Sequence, residues 1–233
     1  DFNYEVSRAL TACEGALLVV DATQGIEAQT LANLYLAIES DLVIIPIINK
    51  IDLPSSREEE VATDLINLLG VKRDEIISIS AKEGTNVDQV FEAIIEKIPA
   101  PEVSDAGETQ ALIFDSHYDS YKGVIAYVRV FQGTINANET LRLMATKSDI
   151  KPVEIGFFVP SMVSASSIPC GDVGYIATGL KTVGECRVGD TITITRAPAA
   201  AALPGYRQVK PMVFAGIYPV EGDDYNELRE SLE

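Results

Sequence analysis

The chain has 233 residues, 47% hydrophobic and 23% charged, and no apolar run approaches the roughly 18 residues a membrane span requires, so it reads as a globular protein of one and a half to two compact units. Its formal charge of −17, from 35 acidic and 18 basic side chains, opposes non-specific nucleic-acid binding, which needs clustered Lys and Arg to displace counterions. Cys13, Cys170 and Cys186 are widely spaced, with no CxxC pair and no metal-site spacing; they fit a reducing compartment and read as buried small hydrophobes.

The first residue is Asp1 rather than Met, no signal-peptide pattern is present and a helix-like stretch begins at once, so the chain is expected to belong to something longer. From Glu14 to Ile98 an apolar run, a turn and an amphipathic helix alternate three times, the grammar of an α/β unit with parallel strands joined by right-handed crossovers. The strands are expected at Ala16–Asp21, Leu42–Ile48 and Ile76–Ile79. Helical spacing links Leu31, Leu34 and Ile38, and later Val87, Val90, Phe91, Ile94, Ile95 and Ile98. Ser56 with Glu59 predicts a capping box for the middle helix, and Asn86 with Gln89 a cap for the last. Glu58, Glu59 and Glu60 read as the acidic first turn of a helix, favourable to its dipole.

At 99–105 proline and polar residues interrupt the helical period and mark a linker. Beyond it short alternating segments are expected as strands at Gln110–Asp115, Val124–Gln132, Leu141–Ala145, Val153–Phe158, Val173–Thr178 and Thr191–Thr195, which implies an antiparallel barrel or sandwich. A second linker, Arg196 to Pro204, leads to a strand at Met212–Ile217 and a helix opened by Asp223 or Asp224, too little to bury a core alone. The expected division is therefore 1–103, 104–200 and 201–233.

The strongest chemical signal is Asn49-Lys50-Ile51-Asp52, directly after the second apolar strand. Ligands of open parallel sheets bind outside the carboxyl ends of the strands, where this tetrapeptide falls. A carboxylate at Asp52 can accept from the N1–H and exocyclic amine of guanine, a donor pair adenine lacks, and leaving it unmade costs about 2–3 kcal/mol. Asn49 can bond the base edge or tie neighbouring loops together, and the methylene stem of Lys50 can cover one ring face. Ser80-Ala81-Lys82 comes after the next strand at the same edge; the Ala81 amide suits guanine O6, and Lys82 can shield the opposite ring face. Either motif alone arises readily by chance; the two in order after parallel strands do not.

These residues match two guanine motifs of the translational GTPases, and the chain is similar to that family elsewhere. The opening residues 1–10, Asp-Phe-Asn-Tyr-Glu-Val-Ser-Arg-Ala-Leu, resemble the segment after the family's Asp-x-x-Gly-His motif. Asp115-Ser116, Tyr118-Asp119, Tyr121 and Gly123-Val124 resemble the start of a second domain, and 210–225, from Lys210-Pro211-Met212 to Asp223-Asp224-Tyr225, the opening of a third. His117 departs from the pattern, which has an aromatic residue there. The resemblance implies a truncated P-loop GTPase G domain of α/β class, then an all-β barrel, then the start of an α+β ferredoxin-like domain. For the intact parent it implies GTP or GDP with Mg²⁺ as cofactor, GTP hydrolysis, the ribosome as partner, and a cytoplasmic location that extends to the inner face of the bacterial membrane.

No Gly-x-x-x-x-Gly-Lys-Ser/Thr occurs in the chain, so no phosphate cradle is expected, no catalytic residue is assigned, no metal ligand is assigned, and the chain alone is expected to be inactive. His117, the one histidine, reads as a surface or packing residue, Asp223-Asp224 as a cap, and Tyr118 with Tyr121 as core packing ahead of RNA stacking. Ala16–Asp21 lacks edge protection, so its free edge is expected to be covered by a second copy of the chain, by a separate chain, or by the Asp1–Thr11 segment. Two alternatives remain open: a non-catalytic ribosome- or protein-binding module, and another translational GTPase of the elongation factor G or BipA type.

Overall fold

A computed structural model describes residues 3–103, 107–204 and 215–232. The first unit runs α1 (Asn3–Leu10), β1 (Gly15–Asp21), α2 (Ala28–Glu39), β2 (Val43–Asn49), α3 (Glu58–Leu69), a 3-10 turn at Arg73–Glu75, β3 (Ile77–Ile79) and α4 (Val87–Lys97). The three strands are parallel in the order β1-β2-β3. Their β-branched and aliphatic residues suit a sheet covered on both faces. Val20 and Ile48 pack with Val61, Ala62 and Leu65 of α3 on one face, and Ile45, Ile47 and Ile79 pack with Val90 and Ala93 of α4 on the other. Pro46 sits inside β2 because β3 pairs only from Ile47 onward, so the missing N–H falls where β2 has a single neighbour.

Two expected caps form differently. α3 begins at Glu58 with Arg57 as its N-cap and no side-chain cap, so the Ser56/Glu59 capping box is absent. Successive turn bonds, Leu53 N–H to Lys50 O and Ser56 N–H to Leu53 O, carry the chain past Ser56 before the helix can start, and Arg57 N–H is held by Ala22 O. Glu58, Glu59 and Glu60 do form the acidic first turn, and Arg73 bridges Glu58 and Glu59. α3 stops at Gly70, in the left-handed region at φ 70°, where a Cβ would be strained. Asn86 occupies the N-cap position of α4 in a left-handed conformation, yet its amide donates to Ser78 O at 2.8 Å instead of capping the helix.

The second unit contains β4 (Gln110–Asp119), β5 (Gly123–Gln132), β6 (Thr134–Asn136), β7 (Leu141–Leu143), β8 (Ser148–Ile150), β9 (Glu154–Val159), β10 (Ser161–Ser164), β11 (Ser167–Pro169), β12 (Val173–Ala177) and β13 (Thr191–Ile194). Eight of them form one antiparallel sheet, β10-β9-β12-β5-β4-β13-β7-β8, and β11 pairs with β6. The sheet curls around a main core built from alternate residues such as Ile113, Val124, Val128, Leu141, Ile155, Ile176 and Ile192, and Ile125, Tyr175 and Ala177 form a smaller buried cluster.

β4 runs past Asp115 to Asp119 through a register shift between Ile113 and Asp115, which places Tyr118 and Tyr121 at the tip of the β4–β5 hairpin rather than in the core. There Asp119 Oδ1 accepts the N–H groups of Tyr121 and Lys122, each at 2.8 Å, and the Tyr121 side chain is 96% exposed. Gly123 closes the turn at φ 72°, where a Cβ would lie 2.5 Å from Leu180 O. His117 is exposed on the outer face of β4, its ring 5.4 Å from that of Tyr127. Cys170 and Cys186 are buried as expected, but Cys13, past the end of α1, is exposed.

The two units touch through ion pairs. Arg8 of α1 reaches Asp115 at 3.3 Å, and Arg129 of β5 pairs with Glu14 while stacking over Phe131. Of the expected strand Met212–Ile217, residues 212–214 lie outside the described residues and 215–217 form no strand. A 3-10 turn at Gly222–Asp224 leads directly into α5 (Tyr225–Leu232), so both aspartates precede that helix. β1 is an edge strand, and the described part of the Asp1–Thr11 segment forms α1, packed on α2 and not paired with β1. Self-coverage by that segment is therefore excluded for residues 3–11: a helix has satisfied its own backbone and offers no ladder to an edge.

Candidate functional site

The register aligns Asp21 of β1 with Asn49 of β2 and Asn49 with Ile79 of β3, so the three strands end together and their succeeding loops converge on one edge of the sheet. Asn49, Lys50 and Asp52 come from the β2 loop, and Ser80, Ala81 and Lys82 from the β3 loop. The structure brings all six to that edge, together with two residues that sequence reasoning missed, Asp21 and Thr23.

Asn49 is the cross-tie. Its Oδ1 accepts the N–H of Lys50 at 2.8 Å and the N–H of Ala81 at 3.0 Å, locking the β2 loop to the β3 loop. Of its two expected roles the tie is the one formed here, and the Ala81 amide expected to face guanine O6 is engaged by Asn49. Main-chain bonds repeat the tie, Ile51 N–H to Ile79 O at 3.3 Å and Ala22 N–H to Asn49 O at 2.8 Å.

Ser80 is buried, 1% exposed, and its hydroxyl donates to Asp52 Oδ1 at 2.7 Å while accepting Glu83 N–H at 3.2 Å. Asp52 is thus oriented by a group that is itself fixed. One carboxylate oxygen is engaged, and the other has no partner among the described residues. A carboxylate can accept at both oxygens, so Asp52 keeps acceptor capacity at its second oxygen.

Lys50 adopts φ 69°, which side-chain-bearing residues rarely take, and its Nζ lies 2.6 Å from Asp21 Oδ2. Asp21 Oδ1 accepts both the N–H and the hydroxyl of Thr23, each at 2.7 Å. The Lys50 hydrogen bond, together with the weaker effect of those from Thr23, holds the Asp21 carboxyl well below the usual carboxylate range. Arg57 Nη2 donates to Thr23 O at 3.0 Å and secures the same turn. A signal for Asp21 was present: Asp21-Ala22-Thr23 comes after the first apolar strand just as the two recognised motifs come after the second and third. Lys82, the residue after Ala81, is exposed. Among the described residues no group of three His, Cys, Asp or Glu side chains could hold a metal ion.

A parallel sheet with such loops at its carboxyl edge, succeeded by a curled antiparallel sheet, matches two known domain families. Residues 1–100 match the family "Elongation factor Tu GTP binding domain", and residues 123–193 match "Elongation factor Tu domain 2". Translation elongation factor SelB from Methanococcus maripaludis, in its apo form, shares the fold at a TM-score of 0.65 and 20% identity, over 80% of this chain and 41% of that one.

Over its whole length the chain is similar to proteins named elongation factor 4. Elongation factor 4 of Dehalococcoides mccartyi (strain CBDB1) is 56% identical over all 233 residues, that of Alkaliphilus oremlandii 54% and that of Bacillus licheniformis 52%. The chain spans 38–39% of the length of these relatives.

Proposed function

We propose that this chain carries the guanine-recognising part of a ribosome-associated GTPase of the elongation factor 4 type. The observation that carries the reading is Asp52, held by buried Ser80 at one oxygen and open at the other, at the shared edge of three parallel strands. Asp52 accepts the N1–H and amine of guanine; Asn49 holds the loops, Lys50 and Lys82 cover the ring faces, and Ser80 aims the carboxylate. The Ala81 amide serves O6 by sharing its proton between the base and Asn49 Oδ1. In the whole protein GTP or GDP binds with Mg²⁺, and the phosphates are held by residues other than these, because the chain contains no phosphate-loop motif.

On this reading residues 1–103 are the C-terminal half of a GTP-binding domain, 104–200 a translation-factor β-barrel, and 201–233 the start of a third domain. The ribosome is the proposed partner, and hydrolysis of GTP the proposed activity of the whole protein, in the cytoplasm. Among the described residues no helix is long and apolar enough to cross a membrane. The rival of a non-catalytic binding module has no observation that favours it over the oriented Asp52.

The test is Asp52→Asn in a polypeptide of the relatives' full length. An amide offers a donor where the carboxylate offered only acceptors, and xanthine has a carbonyl where guanine has its amine. Competition between GDP and XDP should move toward XDP by about 30-fold or more, the equivalent of a charged hydrogen bond exchanged for an unmatched pair. An unchanged preference removes Asp52 from the site.

A further inference from the structure

Two carboxylates stand at the site's edge, and their surroundings assign them different work. Asp52 retains an open oxygen. Asp21 is engaged at both oxygens, Oδ1 by the N–H and hydroxyl of Thr23 and Oδ2 by the Lys50 ammonium. Both of its oxygens are thus committed to partners within the fold. Its one mobile partner is Lys50, whose backbone sits in the left-handed region, with its N–H held by Asn49. The peptide start of the side chain and its charged end are therefore both fixed, and the methylene stem between them spans from the end of β2 to the end of β1.

We propose that Asp21 is a positioning residue for the purine: it clamps the Lys50 ammonium so that the Lys50 stem stands as a fixed wall against one face of the guanine ring. This rests on the guanine reading above and deepens it. The Lys50 side chain is 52% exposed, and an ion pair so placed contributes little to folding stability. What it does instead is remove the rotamer freedom of a long side chain before the ligand arrives, so that a base entering the slot meets a preformed apolar surface and loses less entropy on binding. Selection between guanine and other purines stays with Asp52, because a methylene wall has no donor or acceptor with which to read the base edge. Asp21 thus sets how long a purine nucleotide stays, and Asp52 sets which one.

In the full-length polypeptide, GDP and XDP affinities and dissociation rates are measured for the parent sequence, Asp21→Ala, Asp21→Asn, Asp21→Glu, Asp52→Asn and the Asp21→Ala/Asp52→Asn pair. Asp21→Ala should release GDP about 10-fold faster with the GDP:XDP ratio unchanged, and should cost XDP the same factor in the Asp52→Asn background. Asp21→Asn retains an acceptor for Thr23 but loses the charge, so it should resemble Asp21→Ala, whereas Asp21→Glu should recover part of the loss. An Asp21→Ala or Asp21→Asn protein that is folded by circular dichroism and releases GDP within twofold of the parent rate overturns the clamp. So does a change in GDP:XDP ratio on replacing Asp21. If Asp52→Asn leaves guanine preference intact, the guanine site itself fails, an outcome distinct from loss of the clamp alone.

Discussion

The two units solve the same burial problem with opposite results. In the β unit inward residues from nine strands meet in the main core, and Ile113, Ile155 and Ile176 are wholly removed from solvent. In the α/β unit β1 has a neighbour on one side only, Val19 on it remains 51% exposed, and Ile95 on α4 remains 81% exposed. An antiparallel sheet can curl until its own strands cover its core, while an open parallel sheet depends on what lies beside its last strand. The unit that carries the proposed site is thus the one whose edge strand stays uncovered among the described residues, and the unit without assigned chemistry is the one whose sheet encloses its main core.

The largest effect expected from this contrast is on ligand binding. The chain of 233 residues should bind GDP far more weakly than a polypeptide of the relatives' full length and should show no GTPase activity, because base contacts alone must offset the entropy of immobilising the nucleotide. Calorimetric titration decides the matter, and a micromolar or tighter GDP affinity in the chain itself would refute it. Next comes core truncation. Ile176→Ala in the β unit should cost about 2–5 kcal/mol in urea unfolding, while Ile95→Ala on the exposed face of α4 should stay within about 0.5 kcal/mol. Equal costs at the two positions would mean that Ile95 is covered in solution and that the contrast between the units is false.

A third expectation uses the thiols. Burial pushes the Cys186 thiol up to about 12, with Asp190 adding to the effect, and the side chain is wholly enclosed. Cys170 is buried as well, whereas Cys13 is exposed, its pKa raised by partial burial and by Glu14. At pH 8 a disulfide reagent should label one thiol quickly and the other two only on unfolding. Rapid labelling of all three would show the β unit opening as readily as the α/β unit.

The smallest effect is the acid response. Asp21 in the α/β unit and Glu154 in the β unit both have depressed carboxyl pKa values, Asp21 through Lys50 and Thr23, Glu154 through Tyr175 and Lys122. A carboxyl lowered on folding stabilises the fold in full above its unfolded value of about 4, and that contribution is lost as pH falls through the folded value. Asp21→Asn should therefore flatten the loss of stability below pH 4 in the α/β unit and leave the β unit unchanged, as monitored by hydrogen exchange at each set of amides. A parallel change in both units would show that they unfold as one.

Much of the architecture was readable from local pattern. Continuous apolar runs marked the three parallel strands, alternation marked most of the antiparallel ones, and the position of Asn49 to Asp52 and Ser80 to Lys82 just past strand ends marked the site edge. Local pattern failed where a neighbour distant in sequence decided the outcome. The Ser56/Glu59 box lost to a turn whose end is held by Ala22, and the hairpin carrying Tyr118 and Tyr121 was lengthened by a bulge between Ile113 and Asp115 that local spacing does not encode.

The sequence by itself thus determined the element types, the order of the units and the residue kinds at the carboxyl edge, because helical and strand periods and turn chemistry are properties of adjacent residues. Only the tertiary structure decided which of those residues engage one another: Asn49 with the Ala81 amide, Ser80 with Asp52, Asp21 with Lys50. Each of these pairs joins the ends of different strands, and whether they meet depends on strand register, which is set by the packing of the whole sheet rather than by any segment of it.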